Sequence, residues 1–157
     1  MSGPEKAGAK TPPTGPATKE EILSYMPHRE PFMFVDAVSV QDGRIHGERT
    51  YPADSWFFKG HFPAFPVVPG VILTETMMQV GGCGVKRMGI ETKGTFLVAK
   101  IKEVRLRRPV RPDERFRMEI DNIKASANIV HQKGVGYVGD EPAIEAEWIA
   151  ISGGDLT

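Results

Sequence analysis

A single cysteine, Cys83, among 157 residues leaves no partner for an internal disulfide and no second thiolate for a metal site. A reducing cytosol is the expected setting. Long apolar runs are also missing: the longest uncharged stretch suited to a helix runs from Thr76 to Val85, well short of the ~20 apolar residues needed to cross a bilayer. A soluble protein with no membrane partner is expected. Charge of one sign is scarce too, since 20 Lys and Arg face 20 Asp and Glu. Overall charge therefore gives no reason for adhesion to nucleic acid or to an anionic surface. There is no repeat at solenoid spacing. What is present, 40% apolar and 25% charged residues, is the usage of one ordinary folded domain.

Residues 1–17 hold four Pro and three Gly and almost nothing apolar, so they read as a flexible tail ahead of a single domain over 18–157. They have neither the apolar run of a secretory signal nor the Arg-rich make-up of a transit peptide. Thr18 and Glu21 form a capping box before Ile22 and Leu23, predicting a short helix that Pro27 ends. Two β-rich runs flank Asp42-Gly43, a hairpin signal. Residues 70–88 have helix formers and no Pro, and predict the one long helix. Its interior carries Gly81, Gly82 and Gly84, each costing roughly 1 kcal/mol against Ala, which calls for something close to the backbone: a sheet, a partner chain or a ligand. From Thr95 the apolar period becomes two, with a slip at Glu103 that suits a β-bulge. Phe116, Met118 and Ile120, then Ile144, Ala146, Trp148 and Ala150, continue the alternation, with a turn at Gly139-Asp140. These are half-buried antiparallel strands. The fold class is α+β: one long helix on a curved antiparallel sheet of about six strands.

Chemistry concentrates in residues 60–82. Pro63, Pro66 and Pro69 stiffen a loop that begins with His61. Gly70 and Val71 open the long helix, where backbone N–H groups lack intrahelical acceptors and the dipole favours developing negative charge. Glu75 lies on an otherwise uncharged first half of the helix, and Gln79, four residues on, shares its face. A base, a carboxyl and a helix N-terminus together suit proton removal beside a carbonyl. The residues alone leave plainer roles open: His61 as a structural hydrogen-bonder, Glu75 as a solvent-facing acid.

Four separated motifs carry a resemblance. PHREPFMFVDAV (27–38), GHFPAFPVVPGVILTETMMQVGG (60–82), KIKEVRLRRPVRPDERF (100–116) and KGVGYVGDEPAIEAEWI (133–149) resemble, in order and spacing, the FabZ-type 3-hydroxyacyl-acyl carrier protein dehydratases, over roughly residues 20–151. The resemblance implies a hotdog fold, a long central helix wrapped by a curved sheet, with two subunits pairing their sheets and a trimer of dimers common. It implies a hydro-lyase of fatty acid biosynthesis or a related pathway, acting on substrate carried on the phosphopantetheine arm of acyl carrier protein, with no metal and no redox cofactor. His61 and Glu75 become the catalytic pair, usually from different subunits. The Gly70 amide binds the thioester carbonyl and Gln79 holds Glu75. Ala64-Phe65 departs from the family's usual Gly-Asn, so Phe65 is either a packing residue or one that narrows the acyl tunnel.

Residues 100–117 carry eight Lys and Arg against three acids, an excess of five. Either they are solvated strand faces, or Arg105, Arg107, Arg108 and Arg111 dock an acidic acyl carrier protein. Nucleic acid is the weaker partner, since no recognition motif accompanies the patch. His28 and His46 read as structural or surface residues, His131 lacks ligand neighbours, and Cys83 reads as a small buried residue. Competing functions are another hotdog thioester enzyme, such as a thioesterase or an isomerising dehydratase, and a non-catalytic subunit that depends on a partner.

Overall fold

The Thr18 hydroxyl accepts from the Glu21 amide at 3.1 Å while the Glu21 carboxylate accepts from the Thr18 amide at 2.7 Å. The capping box is therefore complete and starts helix α1, Lys19–Tyr25. The computed structural model describes residues 11–154. Strands β1 (Ala37–Gln41) and β2 (Arg44–Thr50) meet at Asp42 and Gly43, both at positive φ, 50° and 76°. That geometry matches the twist of the paired strands. Helix α2 spans Gly70–Arg87. Four strands follow: β3 (Phe96–Leu106), β4 (Arg115–Ala125), β5 (Ile129–Val138) and β6 (Glu141–Ser152).

All six strands form one antiparallel sheet in the order β1-β2-β4-β5-β6-β3. The expected slip near Glu103 is a register shift between Ile101 and Glu103, with another between Val98 and Lys100. The sheet's inner face and α2 enclose the core, where Ile45, Met77, Val80, Phe116, Met118, Ile120 and Ile144 are fully buried. This is the hotdog arrangement. No helix among the described residues is long and apolar enough to cross a membrane.

Two expectations change. Strand β3 was expected to be half-buried, yet Leu97, Ile101 and Leu106 are 49%, 50% and 58% exposed. The reason is positional: β3 ends the sheet and pairs only with β6. The second concerns residues 1–17. Residues 1–10 lie outside the described residues, but the end of that segment is held. The Ala17 amide donates to the Val38 carbonyl at 2.8 Å, and the buried Arg87 guanidinium donates to the Gly15 carbonyl at 3.0 Å. The packed domain thus begins a few residues before Thr18.

Candidate active site

The loop before α2 is shaped by its own backbone. The His61 amide bonds the Phe57 carbonyl, the Val67 amide bonds the His61 carbonyl, and Phe62 and Phe65 exchange two hydrogen bonds, all within 3.0–3.2 Å. His61 Nδ1 lies 2.9 Å from the Val67 carbonyl oxygen. A carbonyl only accepts, so Nδ1 carries the proton and Nε2 of the neutral ring keeps its lone pair. The ring stacks on Phe62 with centroids 4.2 Å apart. The ring is thus held through Nδ1, with Nε2 left unbonded among the described residues.

Pro69 precedes α2 and its carbonyl accepts from Ile72 and Leu73 at 2.9 and 3.1 Å. The amides of Gly70 and Val71 come before the first intrahelical acceptor and are free to bind an oxygen. A side chain at Gly70 would run into a methyl group of Leu106. Glu75 follows about 7.5 Å along the axis. Its carboxylate, 22% exposed, accepts from Gln79 Nε2 at 3.1 Å. Gln79 itself is fixed: its oxygen accepts from the Phe34 amide at 2.9 Å and its nitrogen donates to the Phe32 carbonyl at 3.1 Å. With the oxygen engaged, the amide nitrogen must face Glu75.

Glu75 and Gln79 line an apolar cavity of about 100 Å³ with Gly82 and Cys83 of α2, Phe96 and Val98 of β3, and Trp148 of β6. A wider depression of about 370 Å³ on the sheet's outer face is lined by Arg44, Asp121, Glu119, Lys133 and neighbouring charges. Arg44 and Asp121 there pair at 2.9 Å, so that surface is ion-paired, and it carries no candidate base. The smaller cavity is the candidate site. One chain therefore brings Glu75 and Gln79 together and sets Gly70 and Val71 at the start of the same helix. His61 and Phe65 are not among the residues lining that cavity.

Phe65 is exposed and lies under the Arg111 guanidinium, 4.5 Å from the ring centroid. Arg105 pairs with Glu103 at 2.6 Å, Arg107 with Glu145 at 2.8 Å and Arg108 with Glu114 at 3.3 Å. Of these four, only the Arg111 guanidinium has no carboxylate partner among the described residues, although the Arg111 amide donates to Glu114 at 2.9 Å. The excess of five positive charges counted along residues 100–117 is met by acids outside the segment: Glu119, just beyond it on β4, and Glu48, Glu141, Glu145 and Glu147, across the sheet, pair with its side chains. A linear count misses acids on neighbouring strands.

His28 was read as structural, yet its Nε2 lies 3.5 Å from Glu75 Oε1 and it lines the same cavity. Nothing in the spacing relates residues 47 apart, but the single His between Pro27 and Arg29 was the available signal. Cys83 is buried, its Sγ 3.3 Å from Met26 Sδ, and burial pushes the thiol pKa up to about 12. A buried thiol of that kind is inert at neutral pH. His131 pairs with Glu147 at 2.7 Å, and the described residues contain no metal-ligating cluster.

A sheet curled around one helix that presents a held carboxylate to an apolar cavity defines a hotdog-fold protein with a candidate active site on that helix. The family model for the FabA-like domain matches residues 26–147, and the chain belongs to that family. A protein of Pelotomaculum thermopropionicum named 3-hydroxyacyl-[acyl-carrier-protein] dehydratase FabZ is 40% identical over 129 residues, covering 81% of this chain and 92% of its own. The protein of that name from Caulobacter vibrioides is 38% identical over 135 residues, covering 83% and 85%. Among solved structures, the dehydratase heterocomplex ApeI:P from Xenorhabdus doucetiae matches with a TM-score of 0.69 at 16% identity, over 83% of this chain and 90% of that one. A hypothetical thioesterase with coenzyme A from Streptococcus pneumoniae matches with 0.57 at 11% identity, over 76% and 90%. At such identities the two structures share the fold alone.

Proposed function

We propose that this protein removes water from a 3-hydroxyacyl thioester borne on acyl carrier protein, giving the trans-2-enoyl thioester in fatty acid biosynthesis or a related pathway. The observation that carries the reading is that both proton-transfer residues are already aimed. His61 is held through Nδ1 by the Val67 carbonyl, and Glu75 is held by the Gln79 amide. The curated relatives named for this reaction support it.

In the reaction, His61 Nε2 takes the α-proton, and the C–H electron pair moves toward the thioester oxygen, which the Gly70 and Val71 amides receive. As the pair returns to form the α,β double bond, the β C–O bond breaks and the departing oxygen takes the proton of neutral Glu75, leaving as water. His61 does not line the Glu75 cavity, and the family resemblance pairs these two residues across subunits, so in this reading His61 of one subunit works with Glu75 of a second. The exposed apolar edge of β3 is the surface we assign to that pairing. Two subunits are the minimum. Arg105, Arg107, Arg108 and Arg111 are the proposed docking surface for the carrier protein, with Arg111 foremost because its charge is not already paired.

The test is enoyl thioester formation from a 3-hydroxyacyl carrier protein, followed by ultraviolet absorbance. The wild type should turn over, and His61→Ala and Glu75→Gln should each fall by at least about a hundredfold, the usual share of one acid–base group. A folded, dimeric wild type inactive on short and long acyl chains would overturn the reading in favour of a partner-dependent subunit.

A further inference from the structure

We infer that His28 is a positioning residue for Glu75: with Gln79 it engages one carboxyl oxygen, Oε1, and so reserves Oε2 for the proton that leaves with the β-hydroxyl. The inference rests on the dehydratase reading above and adds a residue to it.

Three observations meet at this carboxyl. Gln79 Nε2 donates to Oε1 at 3.1 Å, and its amide cannot turn because the Phe34 amide holds the other end. His28 Nε2 approaches the same Oε1 at 3.5 Å, with the two side chains 32% and 22% exposed. The other His28 nitrogen, Nδ1, is buried and without a partner among the described residues. These contacts select the tautomer. A proton on Nδ1 would be a buried, unpaired donor and would turn the Nε2 lone pair toward the carboxyl oxygen; a proton on Nε2 faces an acceptor. At 3.5 Å the contact is longer than a formed hydrogen bond, and such contacts commonly tighten when substrate is bound.

The backbone carrying His28 is held for this task. Pro27 restricts it from one side, and the Arg29 guanidinium ties it down by donating to the carbonyls of Met26 at 2.9 Å, His28 at 2.6 Å and Leu23 at 3.3 Å. Farther along the same segment, Phe32 and Phe34 grip Gln79. One stretch, residues 26–34, therefore supplies or fixes both groups directed at Oε1. With Gln79 donating to Oε1 and His28 facing the same oxygen, the acid proton is left to Oε2, and a carboxyl that cannot flip presents that proton in one direction.

The experiment compares His28→Phe, which keeps a ring but removes the donor, with His28→Gln, whose amide can reach the same oxygen. For wild type and both variants, kcat and KM are measured on one 3-hydroxyacyl carrier protein. His28→Phe should lower kcat by tenfold to about a hundredfold, the effect of a misplaced reacting group, with KM within twofold, and His28→Gln should recover to within threefold of wild type. Should His28→Phe fail to fold, His28→Asn, one methylene shorter than Gln, replaces it as the variant that cannot reach. Wild-type turnover with His28→Phe within twofold of it, or with His28→Gln no better than the variant that cannot reach, overturns the assignment alone. No turnover by the wild type removes the dehydratase reading, and this assignment with it.

Discussion

Three neighbouring glycines in α2 meet three different surroundings, and the differences predict opposite outcomes for the same substitution. A methyl at Gly81 would strike the buried Gln132 amide and Trp148, while one at Gly84 would strike Ile45. At Gly82 it would meet nothing within 4 Å, since that residue faces the cavity. Gln132 has no freedom to retreat, because its nitrogen donates to the Gly81 carbonyl at 3.1 Å and to Asn122 at 2.7 Å. Gly81→Ala should therefore destabilise the fold by about 1–3 kcal/mol through overpacking, whereas Gly82→Ala should gain up to about 1 kcal/mol of helix propensity. Thermal melts of the two variants, shifted in opposite directions, would check this. Of the neighbours open to these glycines, the sheet takes two and the cavity takes the third.

At the scale of elements, β3 is the strand whose behaviour was least legible. Its alternation marks it as a strand and locates its bulge, but period two says nothing about whether a neighbour covers the apolar side. Along β4, Phe116, Met118 and Ile120 are fully buried with the same pattern, because β4 lies inside the sheet with β2 and β5 on its flanks. An edge strand with exposed Leu97, Val98, Ile101, Val104 and Leu106 is a ready surface for a second chain. Ile101→Glu should shift the protein to the monomer mass in light scattering behind size exclusion. Turnover should fall with it if the proposed site is shared between subunits. A variant that stays dimeric and active would remove β3 from the interface.

Across the whole molecule, a net charge of zero conceals how locally the charges are balanced. Arginines in a segment that looks strongly basic are answered by glutamates outside it, Glu48 on β2, Glu119 farther along β4, and Glu141 and Glu145 on β6. Arg111 is the exception among the proposed docking residues, resting on Phe65 at the loop that bears His61. Arg111→Glu should raise KM for carrier-bound substrate several-fold while sparing a small coenzyme A thioester, because a surface charge acts on encounter with a charged partner. Equal effects on both substrates would place Arg111 in the loop's structure and not in docking.

The amino-acid sequence by itself determined the capping box, the Asp42-Gly43 hairpin, the long helix and the relation of Glu75 to Gln79. Each is a local matter of spacing, and neighbours four apart on a helix must meet. The family, too, was legible, since its motifs are short runs in order. Only the tertiary structure decided that His28 reaches Glu75, that Gly81 abuts Gln132, that β3 stands uncovered and that the arginines are paired. Those contacts join residues far apart along the chain, and strand order and helix placement, not periodicity, bring them together.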